Sequence, residues 1–367
     1  MILIIIIIIS GLFYASFLLS VYNGLKKLKE RSNNEIIKSV SLIIPFRDER
    51  ENLPGLIDSL NGLEYPEENL SIIFIDDGSQ DESVEIVKGA KLKFKSKLLH
   101  SENGGKKGAI QKAVNETDSE IIMITDADCV HHPKWVMSIV KYFDESTGFI
   151  AGPVIFSGKG FFNELQKLEF AGIVIASAGL IGNGTPFTCS AANIAFRKEA
   201  FLEVSGYWGN EQIPSGDDEF LMQKIAYESK WDVNYAIGEE VIVSTKPNES
   251  LKQFFNQRSR WASKGLDYKI GRIKYSLIMV ALFFISIIAA FILSLNNIAY
   301  LFVAILAIIW KIIWELKVML LGKKKIIHSL SLKYFLVAEI FHIPYIVFSA
   351  LAGTFVGYTW KGRRVSK

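Results

Sequence analysis

The sequence predicts an α/β domain with a mostly parallel sheet, flanked by apolar helices long enough to cross a membrane. Three observations lead to this prediction. Strand-like and helix-like segments alternate over residues 40–128, and two acidic clusters lie at the ends of predicted strands. The chain has 367 residues and is 50% hydrophobic, with its longest apolar runs near the two termini.

The first apolar run covers residues 2–22 and is long enough to span a bilayer. It has neither a charged segment before it nor a small-residue cleavage site after it, which favours a retained anchor over a signal peptide. We therefore expect residues 1–22 to form an N-terminal transmembrane helix and residues 23–39 a basic linker.

Residues 40–249 are expected to form the α/β domain. Strands are predicted at 40–45, at 71–75, near Leu98 and at 120–128, and helices around 53–60, 84–87 and 107–114. Strands that alternate with helices at this spacing are typical of a parallel, doubly wound sheet.

Both acidic clusters follow predicted strands. Asp76 and Asp77 end one strand, and Asp126 and Asp128 end another. Ligands of such sheets bind beyond the carboxyl ends of the strands, where strand order switches. Two carboxylates separated by one residue can hold Mg²⁺ or Mn²⁺, although capping of the next helix is an alternative role.

The C-terminal part is predicted to be attached to the membrane. Residues 250–272 have the mixed aromatic and basic pattern of an amphipathic interfacial helix, with Phe254 and Phe255 on its apolar face. Residues 273–360 are expected to hold about three apolar segments, and the basic flanks of the first spans favour a cytosolic domain. The last segment breaks that charge rule, so we expect it to re-enter or bend.

Several ordered motifs together resemble the family 2 glycosyltransferases, whose nucleotide-sugar domain has the GT-A fold. They are "IIPFRDERENL" (43–53), "IDDGSQDES" (75–83), "GKKGAIQKA" (105–113), "DAD" (126–128), "CSAANIAFRKEAF" (189–201), "SGDDEFL" (215–221) and "QRSRW" (257–261). Asp48 stands where asparagine is more usual in the family, and Asp217 where glutamate is common.

The resemblance implies a role for each matching position. Asp218 is the expected catalytic base, with Asp217 beside it, and Asp128 with Asp126 is the expected metal site. The expected donor-binding residues are Pro45, Arg47, Glu49, Asp76, Asp77, Lys106, Asp126, Gln257, Arg260 and Trp261.

The resemblance implies a metal-dependent, inverting glycosyltransferase in the plasma membrane of a bacterium, with its catalytic domain in the cytosol. The expected partners are a nucleotide sugar, preferably a UDP-sugar, and a membrane lipid as acceptor, and not a nucleic acid. The alternatives are a small processive polysaccharide synthase and a non-catalytic membrane protein that binds nucleotide sugars.

Overall fold

The structure is a computed structural model that describes residues 1–31, 36–101, 105–210, 213, 215–355, 357–360 and 363–365. Its centre is a seven-stranded sheet in the order β3-β2-β1-β4-β7-β5-β8. These strands are β1 (Val40–Phe46), β2 (Leu70–Asp76), β3 (Lys95–His100), β4 (Ile121–Ile124), β5 (Thr147–Ala151), β7 (Ile194–Arg197) and β8 (Asp232–Tyr235). A smaller parallel pair consists of β6 (Val154–Phe156) and β9 (Val243–Thr245), and a terminal hairpin of β10 (Tyr358–Trp360) and β11 (Arg363–Val365).

The sheet is parallel from β3 to β4, and only β7 runs against its two neighbours. The strands β1 and β4 are buried along their whole length, because helices cover both faces of the sheet. The predicted fold class is confirmed: this is a mostly parallel α/β sheet of the GT-A type, with apolar helices at both ends of the chain.

Twelve α-helices accompany these strands in the described residues. They are α1 (Ile2–Lys27), α2 (Leu53–Asn61), α3 (Ser83–Gly89), α4 (Gly105–Asn115), α5 (Trp135–Val140), α6 (Phe161–Gly182), α7 (Lys198–Glu203), α8 (Asp217–Glu228), α9 (Leu251–Ala262), α10 (Gly271–Leu293), α11 (Ala299–Lys325) and α12 (Phe335–Phe355). Five of them, α1, α6, α10, α11 and α12, are long and apolar enough to cross a membrane.

The helix α6 belongs to the α/β unit in sequence and packs directly on α1. A Cβ atom added to Gly24 would lie 1.7 Å from the carbonyl oxygen of Gly179, and one added to Gly179 would lie 2.4 Å from the carbonyl oxygen of Val21. Only glycine allows two helix backbones to approach this closely. The first membrane helix is therefore fixed against the α/β unit.

The bundle formed by α1, α11 and α12 contains a buried charged cluster. Lys311 Nζ donates to Glu315 Oε2 at 2.8 Å and also contacts Glu339 and His342 of α12, while Tyr14 of α1 donates to Glu315. Lys311 and Glu315 pair at i,i+4 as their spacing suggests, but they lie in the bundle interior rather than at its surface. Partners on neighbouring helices make this burial possible.

The last apolar helix, α12, is continuous through Pro344. Near its start the ring of Tyr334 contacts Phe161 of α6, and near its end Gly353 lies against the backbone of Ser259 in α9. Both ends of α12 thus contact elements that adjoin the α/β unit. Whether this segment crosses the membrane or re-enters stays a prediction.

The aromatic face of α9 differs from the expectation. Phe254 is only 8% exposed and packs against Phe162 and Tyr345, and Phe255 packs against Phe348 of α12. The helix α12 covers the apolar face that the sequence pattern suggested would lie in lipid. The sequence pattern of α9 predicted its apolar face. It did not predict that α12, about 90 residues further along the chain, packs on that face.

Candidate active site

The predicted donor-binding residues of the first two strands lie at the carboxyl edge of the sheet. Asp76 is the last residue of β2, and its Oδ1 accepts a 2.9 Å hydrogen bond from the Ser79 N–H. The Asp77 N–H donates to the Phe46 carbonyl at 2.9 Å, which joins the ends of β1 and β2. Arg47 and Glu49 follow β1 at the same edge.

A cavity of about 140 Å³ opens beside this edge. Eight of the predicted site residues line it, whereas Pro45, Arg47, Glu49, Asp76 and Asp77 lie outside the lining, at the neighbouring strand ends. The eight are Lys106, Asp126, Asp128, Asp217, Asp218, Gln257, Arg260 and Trp261. They come from α4, the segment after β4, the start of α8, and α9, so the fold gathers four distant motifs around one space.

Lys106 lies between two of the acidic motifs. Its Nζ donates to Asp126 Oδ1 at 2.7 Å and lies 3.4 Å from Asp217 Oδ2. Burial by itself would lower the pKa of Lys106, but the carboxylates of Asp126 and Asp217 outweigh it and raise the pKa above the ordinary lysine value. This lysine therefore stays a cation within the cavity. The segment before it, residues 102–104, lies outside the described residues.

Asp128 lies deeper than Asp126 and is less well neutralised. Burial raises its pKa, and the nearby charge of Asp126 raises it further, although Asp128 Oδ2 accepts a 2.9 Å hydrogen bond from Thr245 Oγ1. A pair of aspartates whose negative charge is only partly compensated fits a hard divalent cation, which prefers oxygen ligands. The residues present thus match the donor set that a Mg²⁺ or Mn²⁺ ion needs.

The acidic motif at the start of α8 provides the candidate base. Asp218 Oδ1 accepts from the Glu219 N–H at 2.9 Å, and Asp218 Oδ2 accepts from the Ala191 N–H at 2.8 Å. Burial raises the pKa of Asp218 to about 6, and the charge of Asp217 adds to this, while Lys264 acts in the opposite direction. A carboxyl group with such a pKa is deprotonated, and is a stronger base than ordinary aspartate, near neutral pH.

Asp217 has the opposite shift. Burial by itself would raise its pKa, but the Lys106 ammonium outweighs it and lowers the pKa below the ordinary aspartate value. The two neighbouring aspartates therefore have different proton affinities, which is how a pair of carboxyl groups can take different roles.

Two further residues contact acidic side chains in or beside the candidate site and were not identified from the sequence. Thr245, the last residue of β9, donates to Asp128, and Lys264 Nζ lies 2.9 Å from Glu219 Oε1. Glu219 also accepts from Tyr268 at 2.6 Å. A threonine at the end of a three-residue strand has no sequence signal of its own, whereas Lys264 lies just three residues beyond the QRSRW motif.

Comparison with known proteins gives a family for the α/β unit. The model of the family described as "Glycosyl transferase family 2" matches residues 41–205. A poly-beta-1,6-N-acetyl-D-glucosamine synthase from Staphylococcus epidermidis is 27% identical over 250 residues, covering 65% of this chain and 58% of the relative. The synthase of the same name from Staphylococcus aureus is 25% identical over 269 residues, covering 70% and 61%. The chain thus spans about three fifths of the length of these relatives.

A solved structure is similar over almost the whole chain. The mannosyltransferase PcManGT from Pyrobaculum calidifontis, determined with GDP-Man and Mn²⁺, matches with a TM-score of 0.60. It covers 96% of this chain and 98% of its own, at 17% identity. At that identity the likeness shows the fold and does not identify the substrate.

Proposed function

Because residues 41–205 form a domain of glycosyl transferase family 2, we propose that this protein transfers a sugar from a UDP-sugar to a lipid acceptor, with inversion at the anomeric carbon. The observation that carries this proposal is the cavity in which Lys106, Arg260 and the candidate base Asp218 meet. Cationic groups for a leaving diphosphate and a base for an acceptor hydroxyl are the two requirements of such a transfer.

The donor half of the site is formed by the strand ends, α4 and α9. Asp76, which ends β2, and Asp77, which follows it, would accept hydrogen bonds from the base or the ribose of the nucleotide. Lys106 and Arg260 line the cavity and oppose the negative charge that grows on the diphosphate as the sugar departs. Asp126 and Asp128 would hold a divalent ion, which supplies further charge neutralisation to the same diphosphate.

The acceptor half depends on Asp218. Its carboxylate takes the proton of the acceptor hydroxyl, and the oxygen attacks the anomeric carbon on the face opposite the diphosphate. The bond from that carbon to the diphosphate oxygen breaks, and its electron pair leaves with the nucleotide. One such displacement inverts the configuration of the transferred sugar, and Asp217 stays ionised beside Lys106.

A lipid acceptor is favoured by the packing of the apolar helices. In the part of the chain that the structure describes, large side chains fill the bundle interior: Phe283, Phe284 and Lys311 are each 1% exposed. A polymer would need a path through this interior, whereas a lipid needs only to bring its hydroxyl group to the cavity from the bilayer. The catalytic domain is placed in the cytosol by this proposal, as the basic flanks of the spans suggest.

The second candidate is a processive polysaccharide synthase. The named activity of the staphylococcal relatives favours it, although this chain spans only about three fifths of their length. A silent nucleotide-sugar-binding protein is disfavoured because the candidate base and the candidate metal pair line the same cavity.

The test is a donor panel. Membranes that contain the full chain are incubated with radiolabelled UDP- and GDP-sugars and then extracted with organic solvent, with Asp218→Asn membranes as the matched control. We expect label from one UDP-sugar in the organic phase, dependent on Asp218. Water-soluble label of high molecular mass would favour the polysaccharide synthase instead, and no transfer from any donor would contradict the proposed function.

A further inference from the structure

Arg258 lies on α9 between Gln257 and the Arg260–Trp261 pair, but it does not line the cavity. Its guanidinium pairs with Glu169 of α6. Nε donates to Glu169 Oε1 at 3.0 Å, and Nη2 donates to Glu169 Oε2. The side chains of Arg258 and Glu169 are only 3% and 9% exposed, so this two-point ion pair is buried.

The same guanidinium contacts two residues that do line the cavity. Arg258 Nη1 donates to Gln257 Oε1, and the guanidinium carbon lies 4.3 Å from the centre of the Trp261 ring. The guanidinium carbon also lies 4.5 Å from the centre of the Phe254 ring. The position of Arg258 therefore constrains the amide of Gln257 and the ring of Trp261 together.

Glu169 is in turn held by a second helix. Tyr345 of α12 donates to Glu169 Oε1 at 2.8 Å. A single carboxylate thus joins α6, α9 and α12, and two of these three helices are candidate membrane helices. A planar guanidinium bound at two points to a carboxylate has a fixed orientation, which a single-point contact would not give.

We propose that Glu169 is a positioning residue of the donor site, which acts through Arg258 to fix Gln257 and Trp261 in the cavity. This inference rests on the proposed function and adds a residue that the motifs do not include. It also gives Tyr345 a role, because its hydroxyl supports the same carboxylate from the membrane helix α12.

A purely structural ion pair would behave differently from a positioning residue. Loss of a structural pair lowers the melting temperature but leaves nucleotide affinity unchanged in the folded protein. Loss of a positioning residue weakens nucleotide binding, and the Kd rises further the more the substitution displaces or removes the Glu169 carboxylate. Nucleotide affinity therefore distinguishes the two roles.

The experiment measures binding of UDP, and of GDP in a parallel series, to the full chain in lipid nanodiscs with Mn²⁺. We expect Glu169→Gln to raise the Kd of the nucleotide that the wild type binds by about tenfold, because the hydrogen bonds to a charged partner are lost. Glu169→Asp keeps the charge and should lie between wild type and Glu169→Gln. The control is Glu164→Gln on the same helix. Glu164 pairs with Lys167 of α6 at 2.8 Å, and the Kd of this variant should match wild type.

Two more variants complete the test. Tyr345→Phe keeps the ion pair and removes one hydrogen bond, so about a twofold to threefold rise in Kd is expected even if Glu169→Gln fails to fold. Glu169→Gln combined with Arg258→Gln should bind about as weakly as the weaker single variant, since the two residues act through one contact. Suppose that the wild type binds UDP or GDP and that the Kd is unchanged in Glu169→Gln, or in Tyr345→Phe if Glu169→Gln does not fold. This result would overturn the positioning role and leave the proposed function in place. A wild type that binds neither nucleotide would contradict the proposed function, and the positioning role with it.

Discussion

Asp218 Oδ2 accepts a 2.8 Å hydrogen bond from the backbone N–H of Ala191, so the candidate base is tied to the turn that leads into β7. The raised pKa of Asp218, about 6, predicts the acid side of the activity profile. Below this pH the carboxyl group keeps its proton and cannot accept another one, so kcat/KM should fall about tenfold for each pH unit below the pKa. Above it, this group should no longer limit the rate.

The profile is measured as kcat/KM between about pH 4.5 and 8, because that parameter reports the free enzyme. Asp218→Asn keeps the size of the side chain and removes its basicity, and it should lower turnover by at least about a hundredfold while UDP binding stays near wild type. Near-normal turnover in this variant would place the base elsewhere, with Asp217 as the next candidate.

Lys264→Met should shift the same profile. The charge of Lys264 lowers the pKa of Asp218 against the larger effect of burial. Its removal should therefore raise the pKa of Asp218 and move the fall in kcat/KM on the acid side toward higher pH. Lys269→Met is the matched control, because Lys269 is exposed and donates to the Gly209 carbonyl at 3.3 Å, away from Asp218. If the acid side of the kcat/KM profile stays in place or moves to lower pH in Lys264→Met, then Lys264 does not lower the pKa of Asp218.

Asp128→Asn should abolish the dependence of UDP binding on Mn²⁺. The raised pKa of Asp128 reflects burial and the charge of Asp126, both of which a bound cation would offset. Binding is measured with and without Mn²⁺, and wild-type transfer is measured in excess chelator, where we expect it to stop. Asp118→Asn, at an exposed surface position, serves as the control. Transfer that continues in the chelator would mean that Lys106 and Arg260 neutralise the diphosphate without a metal.

Lys311→Met should destabilise the helix bundle. This change leaves Glu315 and Glu339 buried without the ammonium that contacts both of them. Removing one partner of a buried ion pair costs about 3–5 kcal/mol, so thermal unfolding in detergent should occur at a clearly lower temperature. Lys317→Met alters an exposed lysine of the same helix and should melt like wild type. Equal melting of the two variants would show that the cluster contributes little to stability.

The orientation in the membrane is tested by cysteine labelling of intact cells. A cytosolic α/β unit predicts that Lys91→Cys, at an exposed position before β3, resists an impermeant maleimide. Asn297→Cys, between α10 and α11, should react because it would then lie outside the cell. The wild type, with its own Cys129 and Cys189, gives the background. Labelling at position 91 and protection at 297 would reverse the topology.

Patterns within short stretches of sequence predicted the elements whose formation depends on neighbouring residues. The runs that became β1, β2 and β4 are continuous and apolar, and a buried parallel strand requires that composition. In contrast, β7 is four residues long and antiparallel, and no periodicity in "IAFR" indicates its direction.

Contacts between distant segments could not be predicted in the same way. Glu169 is one of two acidic residues in the apolar helix α6, and nothing in its neighbourhood in the sequence indicates that Arg258 pairs with it. Asp218 was proposed from its motif, but the raised pKa depends on burial and on Lys264, which only the folded chain brings near. Burial is set by the whole arrangement of helices, so shifts of this kind are properties of the tertiary structure.

The contact between Gly24 and Gly179 has a consequence for which acceptors the protein can use. The two helix backbones touch there, so α1 and the α/β unit are held together directly rather than by a linker. With α1 in the bilayer, as the proposed function has it, the cavity would stay at one height above the membrane. An acceptor must then present its hydroxyl group at that height, and one that is too short or too long would miss the base. We therefore expect the protein to select acceptors by the distance between their hydroxyl group and the membrane as well as by their chemistry.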